Sequence, residues 1–269
     1  MVIRSEQMQA LEAPAIRAFE ERTYTHLQRY FPHHCLLLGQ EQMHRVIHTG
    51  WQKSKSYGLT AECCVRTYIE LMCLLGGGFD RDPLLPWAAQ VLNHEREPNQ
   101  VKRGDRLYDV AWKYIHHVER DYRDADDRPG IARFIRELRT LPGRCDGIAA
   151  ANMRLDADDL IVQIERLLPA KCAYVGEERL RLFLAEAIGT ANKNGIYSER
   201  AWPRFAVLMF VFGTGFAEDP LLPWASSTLN DFRVRNEIEK LDRLHAMGLA
   251  YIERSWVWAP TAENSNVAG

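Results

Sequence analysis

The chain has 269 residues, 46% hydrophobic and 26% charged, with 34 Lys and Arg against 36 Asp and Glu for a net charge of −2. That composition suits a globular protein able to bury a sizeable core and excludes wholesale disorder. Nearly cancelling charges without a long run of one sign argue against a nucleic-acid partner, which requires a concentrated Lys/Arg surface to displace counterions. No apolar run approaches the roughly 18–20 residues of a membrane span. The stretch Met1-Val-Ile-Arg-Ser-Glu-Gln7 lacks the basic-then-apolar build of a signal peptide. The six cysteines include the neighbours Cys63 and Cys64 but no C-x-x-C spacing, so neither a zinc ribbon nor a disulfide framework is indicated. The expectation is a reduced, cytoplasmic protein with no membrane partner and no cofactor.

Residues 8–31 predict a helix with Leu27, Tyr30 and Phe31 towards the core and Pro32 as its end. Leu38-Gly39-Gln40-Glu41 leads into a second, with Met43, Val46, Ile47, Gly50 and Trp51 at amphipathic spacing and a break at Gly58. A third runs from Glu62 to Leu75, carrying Val65, Tyr68, Ile69 and Met72. The stretch Leu75-Gly-Gly-Gly-Phe-Asp-Arg-Asp-Pro-Leu-Leu-Pro-Trp-Ala88 then reads as a corner between helices. Its glycines suit the left-handed residues that close a helix. Asp82 is expected as the N-cap of the next helix, Pro83 as its first residue and Pro86 as tolerated within the first turn. Phe79, Leu84 and Trp87 are placed to fold back onto the core. A short helix to about residue 93, a polar loop from His94 to Gly104 and a longer helix with Leu107, Val110, Ala111, Tyr114, Ile115 and Val118 follow.

The corner returns as Phe212-Gly-Thr-Gly-Phe-Ala-Glu-Asp-Pro-Leu-Leu-Pro-Trp-Ala225, at an offset of 220 − 83 = 137 residues. The same ungapped offset matches Arg29 with Arg166, Pro32 with Pro169, Cys35 with Cys172, Gly39 with Gly176, Glu62 with Glu199 and Tyr114 with Tyr251. The stripe Met43/Val46/Ile47/Trp51 returns in character as Leu180/Phe183/Leu184/Ile188. The expected fold is therefore all-α. It is read as a tandem duplication of a roughly five-helix unit, with two pseudo-symmetric halves packed as one compact helical array. The first repeat spans 1–118, a bridging helix and linker 119–150, the second repeat 151–258 and a flexible tail 259–269. Within the bridge, Asp126, Asp127 and Pro129 start a helix with Ile131, Phe134, Ile135 and Leu138 on its apolar face, and Pro142-Gly143 ends it. No segment shows the alternation of a strand.

Phosphate-loop, nucleophile-elbow and H-E-x-x-H motifs are missing, and no catalytic residue is assigned. Glu41, His44 and His48 could share a helical face as metal ligands, the basis of a rival reading as a metal- or small-ligand-dependent helical enzyme. The second copy has Arg181 and Ala185 at the two histidine positions, so the paired Glu-x-x-His of a di-iron bundle is not formed, and a solvated face is the better account. Asp242-x-x-His245 is also a single carboxylate–histidine pair, and the Asp-Ala-Asp-Asp runs at 124–127 and 156–159 fit helix starts better than calcium loops. Nothing in the sequence points to an electropositive neighbour that would activate Cys63 or Cys64, so a buried or half-buried structural role is expected for the pair. Asp82, Pro83, Pro86 and Trp87, with Asp219, Pro220, Pro223 and Trp224, are read as a shape-determining motif because both copies keep them. Features without a counterpart, the 119–150 bridge, Trp256 and Trp258, are the expected partner surface.

Leu-Gly-x-x-Phe-x-x-Asp-Pro-x-x-Pro-Trp-Ala, preceded by Tyr57-Gly-Leu-Thr-Ala-Glu62, resembles an uncharacterised, internally duplicated bacterial family associated with type VI secretion gene clusters. Residues 57–88 carry the resemblance. The copy at 194–225 is looser, with Asn194 where the first has Tyr57 and Ile196-Tyr197 for Leu59-Thr60. The resemblance implies a setting beside effectors and spike-tip proteins, not a mechanism. What it implies is an interaction protein (adaptor, chaperone or immunity protein) with an effector or secretion spike component as its partner.

Overall fold

Among the described residues five helices begin with a proline in their first two positions, where the missing N–H would have had no acceptor within the helix. The computed structural model describes residues 5–93, 95–122, 131–152 and 157–257. Among these residues all regular structure is helical and no strand occurs. The α-helices are α1 (Ser5–Tyr30), α2 (Pro32–Ser56), α3 (Glu62–Leu75), α4 (Pro86–Leu92), α5 (Gln100–Val118), α6 (Ile131–Asn152), α7 (Ala157–Leu167), α8 (Pro169–Val175), α9 (Glu177–Lys193), α10 (Trp202–Phe212), α11 (Pro223–Leu229) and α12 (Glu237–Val257). Short 3-10 turns cover Phe79–Arg81, Glu119–Tyr122 and Phe216–Glu218.

Several boundaries differ from the sequence expectation, each for a local reason. Pro32 opens α2 as well as following α1, and the chain swings at Gly39 (φ 72°, ψ 168°) before the helix resumes. Gly176 (φ 81°, ψ 153°) makes the corresponding swing between α8 and α9. Pro83 is not the first residue of a helix. Pro86 opens α4, while Asp82 closes the 3-10 turn ahead of it. Helix α5 starts at Gln100 because the Asn99 side chain caps it, accepting from the N–H groups of Val101 at 3.0 Å and Lys102 at 3.2 Å. Helix α6 runs through Pro142 and Gly143 to Asn152 instead of ending there. The expected helix start at Asp126 and Asp127 and the tail from 259 lie outside the described residues.

Buried side chains form one continuous cluster from Phe19 to Leu244. On one side α1 packs on α2, α2 on α3 and α3 on α5; on the other α9 packs on α10 and both α10 and α11 on α12. Contacts of α5 with α8 and of α2 with α12 join them. The phenylalanines Phe79, Phe183, Phe205, Phe210 and Phe216 are fully buried, each contributing about 1.5–3 kcal/mol from apolar burial. Gly50 lets α2 approach α3, since a Cβ there would lie 2.5 Å from the Ile69 side chain. Helix α6 lies on α7, α10 and α12 with Phe134, Leu138, Leu141 and Cys145 buried. Two residues assigned to the core face outward instead: Tyr30 is 58% exposed and Ile188 41%. Among the described residues no helix is long and apolar enough to cross a membrane.

Candidate functional site

The two proline-tryptophan corners meet, and their aspartates hold each other's backbone. The Asp82 carboxylate accepts from the Leu84 N–H at 2.9 Å and, across the seam, from the Thr214 N–H at 3.2 Å. Asp219 accepts from the Leu221 N–H at 2.8 Å and across the seam from the Gly77 N–H at 2.6 Å. The two cross-seam bonds exchange places under the 137-residue offset, since 77 + 137 = 214 and 82 + 137 = 219. Gly78 and Gly215 touch backbone to backbone. A Cβ on Gly78 would lie 3.2 Å from the Gly215 Cα, and one on Gly215 would lie 3.3 Å from the Gly78 Cα. At position 77 a Cβ would fall 2.5 Å from an Asp219 oxygen. Thr214 does carry a Cβ at the matching place, and its bond to Asp82 is correspondingly longer. Burial pushes both carboxyls above their ordinary range, while the accepted N–H bonds, with Lys171 near Asp82 and Lys53 near Asp219, pull the other way.

Beside this crossing lies a cavity of about 340 Å³, walled by Asp82, Asp219, Tyr114, Tyr251, His34 and Lys171 among others. Lys171 Nζ donates to the Phe210 carbonyl and sits 4.4 Å over that residue's ring; burial lowers its affinity for a proton. His34, at the matching position, is held against the Cys73 backbone and is likewise lowered by burial. Asp121 accepts from the N–H groups of Ala170 at 2.7 Å and Lys171 at 2.8 Å, tying the Glu119–Tyr122 turn to the start of α8. The polar groups of this cavity therefore serve backbone groups first, as a scaffold would require. Among the described residues no serine or cysteine side chain is hydrogen-bonded to a histidine as a nucleophile–base pair would be.

The structure disperses the metal candidates. Glu41 binds Arg45 at 2.6 Å, His44 meets the Tyr24 ring at a 30° tilt and lies 3.8 Å from Glu21, and His48 binds Glu20 at 2.8 Å and Gln52 at 3.0 Å. Among the described residues no three His, Cys, Asp or Glu side chains gather as a metal ion would need. Cys64 is buried, and loss of solvent pushes its thiol up to about 11, which leaves it unreactive. Asp242 pairs with the buried Arg204. His245 lies under α6, against the Leu138 backbone, and burial pushes it down to about 4. Asp158 and Asp159 stand in the first turn of α7, while residues 124–127 and Asp156 lie outside the described residues. So do Trp258 and the side chain of Trp256, part of the expected partner surface, while the α6 portion of the 119–150 bridge buries its apolar face against α7, α10 and α12.

A different aromatic surface is on view. Tyr30 of α1, Leu74 of α3, and Tyr108 and Trp112 of α5 are each about half exposed, at 58%, 51%, 50% and 49%. They line a groove of about 420 Å³ whose edge carries a His26–Glu70 pair at 2.6 Å. Tyr108 stacks on Trp112 with an interplanar angle of 9°, and Trp112 meets His116 edge-on at 4.4 Å. The sequence signal was available: Tyr108, Trp112 and His116 recur every four residues, off the buried Leu107/Ala111/Tyr114 stripe. No family model, curated protein or solved structure matches the chain.

Proposed function

We propose that the chain is a non-catalytic protein-interaction module, an adaptor, chaperone or immunity protein of a bacterial toxin-delivery cluster of the type VI secretion kind. It engages an effector or spike component in the cytoplasm. The observation that carries this reading is the groove of Tyr30, Leu74, Tyr108 and Trp112. Exposed apolar surface that includes a tryptophan is the chemistry of protein association. The setting rests on the resemblance carried by residues 57–88 and 194–225. On this reading the two halves are copies of one helical unit, supported by the constant offset and by the exchanged bonds of Asp82 and Asp219. The repeated motif then keeps shape, and partner recognition falls to side chains that the halves do not share.

Co-purification of the full chain with the products of its neighbouring genes tests the proposal. One stoichiometric protein partner is expected, and failure to retain any of them overturns it. The rival enzyme reading has its three candidate side chains each engaged elsewhere. Stoichiometric iron, manganese or zinc in untagged protein, lost in His44→Ala, would favour that rival.

A further inference from the structure

We infer that Cys63 and Cys64 form a dithiol site for a soft, thiophilic ligand that takes two sulfurs at once, a monosubstituted trivalent arsenical. Consecutive side chains of a helix leave it about 100° apart, so neighbours in sequence do not face each other. Here the two sulfurs turn together to 3.8 Å in the first turn of α3. Cys63 is exposed and Cys64 buried, so the buried or half-buried role expected of the pair holds for Cys64 alone. The Cys64 thiol donates to the Gln100 carbonyl at 3.4 Å, and Gly104 leaves it room, since a Cβ there would lie 3.3 Å from the sulfur. The remaining cysteines, Cys35, Cys73, Cys145 and Cys172, are half-buried or buried, and none is next to another in the chain. Under the 137-residue offset Arg200 and Ala201 stand at the matching positions, so a corner of this kind is built without the pair.

Two sulfurs decide the class of ligand. A centre bonded to both at about 2.3 Å, a metal–thiolate length, would subtend an angle of about 110° at this separation. A disulfide would need the sulfurs at about 2.0 Å, a larger change. Structural zinc takes four protein donors, and among the described residues no third His, Cys, Asp or Glu joins the pair. Glu62, the adjacent carboxylate, is held by Arg22 at 2.8 Å. An arsenical with one carbon substituent has two positions left for protein donors, and thiolate is the soft donor that suits it. The step needs no oxidant. R–As=O and two S–H groups give R–As bonded to both sulfurs and one water, each thiol proton leaving on the departing oxygen. Burial pushes the Cys64 thiol up to about 11, which keeps it from reacting by itself. The exposed Cys63 therefore forms the first As–S bond. Cys64 closes the second within the same molecule, where a group held in place acts at high effective concentration.

The probe is phenylarsine oxide, added in equimolar amount to the full chain reduced with a phosphine and read by intact-mass spectrometry. One phenylarsenic unit per chain is expected, retained against excess mercaptoethanol and removed by dithiothreitol, as a two-sulfur chelate requires. Cys63→Ser, at the exposed position, and Cys64→Ser should each lower retention against the monothiol by about tenfold or more. Cys35→Ser should leave it unchanged. Far-UV circular dichroism of each variant separates loss of the site from loss of the fold, and Cys63→Ser decides the matter if Cys64→Ser does not fold. Absence of an adduct on the parent chain, an adduct that mercaptoethanol releases, or one that Cys63→Ser retains in full overturns the inference. None of these outcomes depends on the protein partner proposed above.

Discussion

Replacing Asp219 with alanine should loosen the seam more than any change to an exposed residue nearby. The carboxylate is 4% exposed and accepts from Gly77 at 2.6 Å and Leu221 at 2.8 Å. Alanine leaves both N–H groups buried and unpaired, each costing about 1–3 kcal/mol. Release of the carboxylate's own burial penalty returns part of this, so the net loss is about 2–4 kcal/mol. That is a large share of the roughly 5–15 kcal/mol that holds a typical fold together. Urea unfolding followed by far-UV circular dichroism measures it as a lowered midpoint. Asp219→Asn, which keeps one acceptor oxygen, should fall about half-way, and Glu218→Ala at the exposed neighbour should match the parent. An Asp219→Ala midpoint within about 0.5 kcal/mol of the parent would refute the reasoning, because that is the scatter of ordinary surface substitutions.

Gly50→Ala should destabilise by about 1–3 kcal/mol in the same assay, since its Cβ lands 2.5 Å from Ile69 and α2 must move off α3. Trp224 is 9% exposed with its indole N–H unpartnered among the described residues. Trp224→Phe should therefore cost less than about 1.5 kcal/mol while Trp224→Ala costs about 3–5 kcal/mol. His245 is pushed down to about 4 from an ordinary 6.5, so on acidification the unfolded chain takes up this proton first. The stability due to its neutral form is complete above pH 6.5 and is lost as pH falls towards 4. The unfolding midpoint should drop over that window by an amount worth about 3 kcal/mol, and His245→Phe should remove that portion of the drop.

Helical class and the extent of α3 were legible because Val65, Tyr68, Ile69 and Met72 repeat at helical spacing between unambiguous ends, and all four are nearly or wholly buried. Proline was harder to read. Pro32 both follows one helix and opens the next, and two prolines three residues apart, Pro83 and Pro86, compete for one first-turn position. Asp82 was expected to cap its own helix. It accepts from Leu84 two residues further on and from Thr214, a partner 132 residues away that local pattern cannot supply. The groove is illegible for a related reason. Periodicity identifies an apolar stripe but not whether anything covers it, so it puts Tyr30 inside and gives Trp112 no role, whereas the candidates Glu41, His44 and His48 share a helix but are each engaged by a different neighbour.

Amide hydrogen exchange at Gly77 and Thr214 bears most directly on the claim that the two corners lock each other. Both N–H groups are held by a buried carboxylate from the opposite corner, so both should exchange only when the whole chain opens, and Asp219→Ala should speed Gly77 far more than Thr214. Exchange of either amide at the rate of an exposed loop in the parent protein would contradict the account.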